Sequence, residues 1–434
     1  MTNNSLDQPR TIFSWCLYDW ANSVFSLVIT STLFPVYYGL MTGSGQGSEV
    51  DFFGFRVLSS ALYSFAVSAA FLMAGLMSPF LSALADLGGL RKRFMAGFCF
   101  VGAAASALLY FFESGNPESG ILLFVLATIG YSGSIVFYNS FLPEIASTNK
   151  LETVSARGFA MGYIGSVLLL VLVLLPLFVS GLPGSGDFSA VCRNGFVYTG
   201  LWWMVFGWIS IRGLPRSDKK MKAGFSPASV IKRMMVAREE ILSIHGLALF
   251  LFGFFFMNTG VQTVMYLAAI FGDAELHLSS EKLIATILIL QLLAIGGSLL
   301  FARLANRFRP ASALILAAAL WALICVLAFF VRSDFQFYGL ASLVGLVMGG
   351  SQSLLRSTFS HFIPGAEIGK SALFGFFDVL EKLSIVLGTF TFGLIHQATG
   401  SMRISALTLT AFFILAMAVF AKLRGTQSKG GFRV

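Results

Sequence analysis

The chain has 434 residues, of which 56% are apolar and only 11% charged, with a formal net charge of +9. A soluble core cannot hide that much apolar side chain, so the solvent is lipid, and little chain is left for a separate soluble domain. The basic balance does not indicate nucleic acid, because the lysines and arginines gather in alternate links as membrane topology produces.

Twelve apolar stretches are predicted as spans: 12–40, 57–84, 94–113, 120–145, 158–182, 195–212, 243–270, 283–303, 311–331, 335–360, 372–396 and 404–422. A helix crossing about 30 Å of hydrocarbon needs about 20 residues. In lipid a helix satisfies its own backbone, so helices are the expected element. The fold class is therefore all-α and integral to the membrane, with twelve transmembrane helices in two pseudo-symmetric six-helix bundles. The expected division is 1–211 for the first bundle, 212–240 for a cytoplasmic linker, and 241–434 for the second bundle with its tail. The linker holds Arg212, Arg216, Lys219, Lys220, Lys222, Lys232, Arg233 and Arg238, with a surface helix expected near 229–239.

Orientation follows from the links. Arg91, Lys92 and Arg93, then Lys150 and Arg157, the linker, Arg303, Arg307 and Arg309, and the tail bases Lys422, Arg424, Lys429 and Arg433 fall on one side. Glu49, Asp51, Glu113, Glu118, Asp187, Asp273 and Glu275 fall on the other. The basic side is expected to be cytoplasmic, with both termini inside. A faint echo between the halves, Phe141-Leu142-Pro143 against Phe362-Ile363-Pro364, fits the duplication common in transporters.

Function is expected where polar residues persist inside spans. In span one Asp19, Asn22, Ser26 and Thr30 recur at helical spacing and predict one polar stripe. A carboxylate there costs about 2.5 kcal/mol or more and faces water or a partner. Span four offers Tyr131, Ser134 and Tyr138. Span seven offers Asn258, Gln262 and Tyr266 on one face, and span ten offers Gln352 and Arg356. Interhelical hydrogen bonding would account for any one of these. Matching positions in both halves favour a shared aqueous cavity, with further groups from Tyr163, Gln291 and Glu381. Span eleven is densest in charge: Asp378 and Lys382 form a favourable i,i+4 pair, and Glu381 points elsewhere on the wheel. Arg356 and Asp378 are expected at similar depth. Proton or charge sites are thus Asp19, Asp378, Glu381, Lys382 and Arg356. Gly158, Gly162 and Gly165 predict close packing of span five.

Cys16, Cys99, Cys192 and Cys325 are dispersed, and His245, His277, His361 and His396 lie mostly near span ends and do not cluster with cysteines or acids. No metal, cofactor or enzymatic constellation is expected. A channel filter is also missing from the pattern.

The link from Ser82 to Arg93 resembles the major facilitator loop motif, apart from Ser82 at its first glycine. Asp86 with Arg91 or Lys92 would form a cytoplasmic gate, and Gly88 and Gly89 permit the tight turn. Further segments extend the resemblance: Tyr18-Asp19-Trp20-Ala21-Asn22-Ser23, Phe137-Tyr138-Asn139-Ser140-Phe141-Leu142-Pro143, Ser155-Ala156-Arg157-Gly158, Gly260-Val261-Gln262-Thr263 and Gly349-Gly350-Ser351-Gln352. On these the chain is similar to the vacuole-effluxer-like major facilitators, also called the unknown major facilitator family. The resemblance implies a twelve-helix facilitator fold and small-molecule transport; yeast vacuolar members are associated with amino-acid export. Two positions depart from the family pattern. Thr259 stands where an aspartate is usual, and Glu381 stands where a small residue is usual.

The expected function is secondary active transport of a small polar solute, such as an amino acid or related metabolite, by proton-coupled alternating access. The alternative is an exporter or flippase of an amphiphile or lipid. Expected partners are the small-molecule substrate, protons and membrane lipids, with no nucleic acid. The protein is expected to be a monomer in a bacterial inner membrane.

Overall fold

A computed structural model of the chain describes residues 6–43, 49–179, 187–215, 227–363 and 370–430. Arg216, Lys219, Lys220 and Lys222 of the linker, and Pro364 of the repeated motif, lie outside the described residues.

Among the described residues twelve long helical rods follow one another. The first six are Pro9–Thr42, Ser59–Gly88, Arg91–Phe111, Pro117–Ile145, Leu151–Phe178 and Phe188–Gly213. The last six are Leu247–Leu276, Ser280–Phe308, Pro310–Phe330, Asp334–Phe362, Lys370–Thr399 and Met402–Gly430, the last broken at Leu409. Each overlaps one predicted span. Among the described residues, ten are long and apolar enough to cross a membrane. Spans six and eleven are as long but less apolar: the first carries Arg193, Asn194 and Arg212, the second Asp378, Glu381 and Lys382. The linker helix runs Pro227–Ser243, longer than the expected 229–239.

Spans five and six start at Leu151 and Phe188, ahead of the predicted 158 and 195. Span six begins early because Asp187 caps it, its Oδ1 accepting from the Ser189 and Ala190 N–H groups at 2.9 and 3.2 Å. Span five begins early because its first turns are amphipathic. Leu151 and Val154 are buried there, and Glu152 and Ser155 find polar partners.

Two features correct the sequence reading. The first is a β-hairpin, β1 (Glu49–Phe52) and β2 (Phe55–Leu58), antiparallel with Asp51 opposite Arg56. Its two-residue turn needs positive φ at both positions, which Phe53 (φ 50°) and Gly54 (φ 81°) supply. Asp51 Oδ1 takes the Gly54 N–H at 2.8 Å, and Glu118 Oε1 takes that of Phe53 at 2.9 Å.

The second is a π-helical run, Phe25–Leu33, inside span one. Ser31 and Thr32 hydroxyls donate five residues back, to the carbonyls of Ser26 and Leu27, at 2.9 and 2.8 Å. A π-helix turns each residue through less than the about 100° of an α-helix. The predicted stripe is therefore not continuous. Asp19 and Asn22 precede the run and are buried, whereas Ser26 and Thr30 lie within it on a shifted face.

Packing groups the described residues into two compact units. One holds Pro9–Asn139 and Met161–Ala223; the other holds Met1–Gln8, Ser140–Ala160 and Gly224–Val434. Within the second unit spans eight and ten approach backbone to backbone. A Cβ on Gly345 or Gly349 would sit 2.2 Å from Leu290 O or 2.1 Å from Ala294 O. Small residues at such crossings let helices pack through dispersion alone, without a hydrophobic drive.

Asp7 ties the chain start to this unit. Its N–H reaches Ile145 O at 2.8 Å, Ser147 donates N–H and hydroxyl to its carboxylate at 3.0 and 2.6 Å, and Lys150 stands at 3.2 Å. Desolvation pushes the Asp7 carboxyl up, but the Ser147 hydrogen bonds and the Lys150 ammonium outweigh it, so it titrates below its ordinary range. A carboxyl depressed in the folded state stabilises above its unfolded pKa, about 3.9, and loses that contribution as pH falls through the folded value. Asp7→Asn should therefore lower Tm in detergent at pH 6 to 7, and the gap to the parent should begin to narrow as pH falls below about 4 and go on narrowing through the folded value. A gap that stays constant from pH 5 down to about pH 2 would contradict this.

Candidate functional site

In the first unit the polar centre is Asp19, 6% exposed. The fully buried Tyr138 of span four donates its hydroxyl to Asp19 Oδ2 at 2.7 Å. Trp15 fixes that tyrosine twice, stacking on its ring at 4.5 Å and donating Nε1–H to its carbonyl at 3.0 Å. The Tyr18 ring lies tilted against the Tyr138 ring at 5.1 Å. Span five closes in through glycine: a Cβ on Gly162 would meet Ser23 Oγ at 2.5 Å and the Asp19 carbonyl at 3.2 Å. The close-packing role foreseen for Gly162 thus falls on the turn that carries the carboxylate.

Asn22, one turn on, is 1% exposed. Its Oδ1 takes a long 3.5 Å bond from Ser23, and among the described residues its Nδ2 has no partner. Asn139 Oδ1 and Thr30 Oγ1 are enclosed in the same way. Other predicted lining residues are engaged locally. Ser134 is fully buried and donates to its own helix at Tyr131 O, and the Tyr131 ring lies against Phe25 and Trp203 at 5.2 and 6.3 Å. Ser26 is half-buried.

In the second unit spans seven and eleven are joined by Asn258. Asn258 is 4% exposed and its Nδ2 donates to Ser384 Oγ at 2.6 Å. Ser384 passes its own proton to Glu381 O at 2.7 Å, and Gln262 Nε2 reaches Asn258 Oδ1 at 3.5 Å. Beside this chain Lys382 lies 3.1 Å from Asp378 and 3.7 Å from Glu381. The i,i+4 pair forms as its spacing predicts. Tyr266 is 37% exposed, and Gln262 and Gln352 are half-buried.

Asp378 takes Lys382, while Arg356, 5% exposed, donates to Ser155 Oγ at 3.0 Å and Ser155 O at 2.7 Å and lies over Phe159 at 4.0 Å. Sequence reasoning also missed a neighbour. His361 Nε2 meets Glu152 Oε1 at 2.5 Å, with both side chains nearly enclosed. His361 does sit with an acid after all; the partners are 209 residues apart, and no local pattern pairs them. Lys370 adds a bridge to Glu144 at 3.5 Å. These bonds explain why Ser140–Ala160 packs with the later helices.

The loop after span two keeps its predicted geometry. Gly89 takes the left-handed cap (φ 63°), Asp86 and Arg91 are both buried and stand 3.9 Å apart, and Lys92 Nζ caps the end of span six through Arg212 O and Leu214 O at 3.2 and 2.7 Å.

Removing the Tyr138 hydroxyl isolates how Asp19 is held. A hydrogen bond to a charged acceptor contributes about 1.5–3 kcal/mol, and an enclosed acceptor that loses it is left short of a donor. Tyr138→Phe should lower the thermal midpoint by several degrees, and Asp19→Asn,Tyr138→Phe together should cost less than the sum of the single changes. Additive losses would show that the two groups do not interact.

The profile of the family described as "Vacuole effluxer Atg22 like" matches residues 7–430. The uncharacterised MFS-type transporter YxiO of Bacillus subtilis (strain 168) is 29% identical over 411 residues, covering 94% of this chain and 93% of its own. Autophagy-related protein 22 of Pichia angusta is 24% identical over 522 residues, covering 96% and 92%. Among solved structures, the proton:xylose symporter XylE superposes with a TM-score of 0.71 at 13% identity over 95% of both chains. The human organic anion transporter MFSD10 does so with a TM-score of 0.69 at 18% identity, covering 95% of this chain and 100% of its own. These likenesses establish the major facilitator fold. The chain belongs to the Atg22-like vacuole effluxer family, and it is an integral membrane transporter of the major facilitator superfamily rather than an enzyme.

Proposed function

We propose that this transporter moves a small polar solute, an amino acid or related metabolite, by proton-coupled alternating access. The observation that carries the reading is Asp19 with its neighbours. A carboxylate held by Tyr138 inside a span, beside an enclosed Asn22 amide nitrogen with no partner among the described residues, is costly in lipid. Buried polar groups in native proteins almost always find partners, and water or solute supplies what the protein does not. Asn22, Tyr138 and Asn139 of the first unit, and Asn258, Gln262, Tyr266 and Gln352 of the second, are the proposed substrate-handling residues, with Ser26, Tyr131 and Ser134. Asp19 is the proposed proton carrier. Asp378, Lys382 and Arg356 are charges that neighbours already answer, and Glu381 is the one that a solute reaches.

Efflux is the favoured direction, supported by the family description. The basic links support cytoplasmic termini and a cytoplasmic gate at Asp86, Gly89, Arg91 and Lys92, in a bacterial inner membrane and as a monomer. The bundle boundaries 1–211 and 241–434 remain the topological reading.

A second reading, export of an amphiphile, draws on one observation. The second unit carries a partly open apolar pocket of about 70 Å³ lined by Thr263, Phe271, Thr286, Cys325, Phe337 and Phe392 among others. Its threonine hydroxyls are spent on their own helices, at Thr259 O and Lys282 O, so only apolar chain suits it.

Reconstitution in liposomes tests both. An imposed pH gradient should drive labelled amino acids across, and Asp19→Asn should reduce gradient-driven flux at least 10-fold. Movement of a fluorescent lipid analogue with no small-solute flux would replace the first reading by the second. Gradient dependence unchanged in Asp19→Asn would remove Asp19 as proton carrier.

A further inference from the structure

We propose that the linker helix, Pro227–Ser243, is an interfacial helix that docks on anionic phospholipid. Ile231, Met235 and Leu242 enter the apolar edge of the leaflet, and Lys232 and Arg238 meet the headgroup phosphates. This surface is separate from the transport site and does not depend on it.

The protein covers only one face of this helix. Val230 and Ala237 are buried where it packs against spans seven and eleven. Ile231, Met235 and Leu242 stand well round the helix from those two, and at about 100° per residue they fall within about 40° of one another. They are 55, 60 and 64% exposed. A helix outside the spans with an apolar stripe on its open side has the pattern of one lying in a membrane interface.

Position supplies the partner. The linker helix ends at Ser243 and span seven begins at Leu247. Three residues reach at most about 11 Å when extended, and here they are folded. The Ile244 N–H bonds Glu240 O at 2.9 Å, the Leu247 N–H bonds Ile244 O at 3.1 Å, and Gly246 turns the chain with a φ of 82°. The end of the linker helix is therefore held at the membrane boundary, where span seven enters.

Charge selects among lipids. On the same wheel Arg238 borders the stripe on one side, and Lys232 lies beyond Met235 on the other, with Glu239 between them. Both bases are exposed. Long basic side chains at such flanks reach from the apolar edge to the phosphates. Other bases at span ends are answered within the protein: Lys92 by the carbonyls of Arg212 and Leu214, Lys150 by Asp7, Lys370 by Glu144. Lys232 and Arg238 have no acidic group at ion-pair distance among the described residues. The chain from Arg212 to Glu240 holds eight basic residues and three acidic ones, a balance that favours an anionic surface over a zwitterionic one. A second copy of the chain would bring the same positive sign to this face.

Fluorescence in vesicles tests the assignment. Met235→Cys, and Ser243→Cys as a control off the stripe, carry an environment-sensitive thiol-linked dye on the full-length protein, whose four native cysteines are buried. Each is reconstituted in phosphatidylcholine, or in equal parts of phosphatidylcholine and phosphatidylglycerol, with a nitroxide-bearing lipid as quencher. Quenching at position 235 should be at least about twofold stronger with phosphatidylglycerol than without, and stronger than at position 243. Lys232→Gln with Arg238→Gln should bring the anionic value down to the neutral one, whereas Lys232→Arg with Arg238→Lys should keep it high. No quenching at position 235, or none beyond that at 243, overturns the docking in a protein whose bases are all intact. Equal quenching in the two vesicles overturns the preference for anionic lipid. An emission shift that grows with the protein-to-lipid ratio, without nitroxide quenching, gives the stripe to a second copy and overturns the proposal.

Discussion

Lipid cannot solvate a charge, and that constraint organises this molecule. Each carboxylate inside a span has to be met by a donor, a cation or water. Asp19 is met by the Tyr138 hydroxyl, itself clamped by Trp15, and Asp378 is met by Lys382 one turn away. The aromatic weight of span one follows from this. The Trp15 ring, stacked at 4.5 Å, and the tilted Tyr18 ring at 5.1 Å hold the Tyr138 ring whose hydroxyl meets the carboxylate.

The same constraint binds the ends of spans four and five to the later helices. Ser155 hands its carbonyl and hydroxyl oxygens to Arg356, Glu152 meets His361, and Glu144 meets Lys370. Those three contacts fall in one short stretch of chain, 140–160, flanked by segments that pack in the other compact unit. Polar bonds of this kind are strong where water is scarce and exchangeable where it enters.

Much of the fold was legible because lipid writes a coarse signal. Twenty apolar residues in a row need no partner to be recognised, so all twelve rods were foreseen, and the Asp86–Arg91 turn announced itself by short-range spacing. The i,i+4 pair Asp378–Lys382 was legible for the same reason. What escaped was either too short or too distant. The hairpin β1–β2 uses four-residue strands and a Phe53-Gly54 turn with no asparagine to advertise it. The π run depends on Ser31 and Thr32 reaching five residues back, which α periodicity cannot anticipate, and it broke the stripe that joined Asn22 to Thr30. His361 and Arg356 found partners some 200 residues away, a distance across which side-chain type alone predicts nothing. For the candidate site, the residue types were visible and their hydrogen-bond directions were not.

The account stands on enclosed polar side chains facing water rather than lipid. The most direct measurement is the reactivity of Asn22→Cys and Asn258→Cys, in membranes, toward a charged, membrane-impermeant thiol reagent. The four native cysteines are all buried, so their background is expected to be low. Both substituted thiols should react with the charged reagent, and a transported solute should slow the reaction. Reaction only with lipid-soluble maleimides, and none with the charged reagent, would contradict an aqueous path beside these residues.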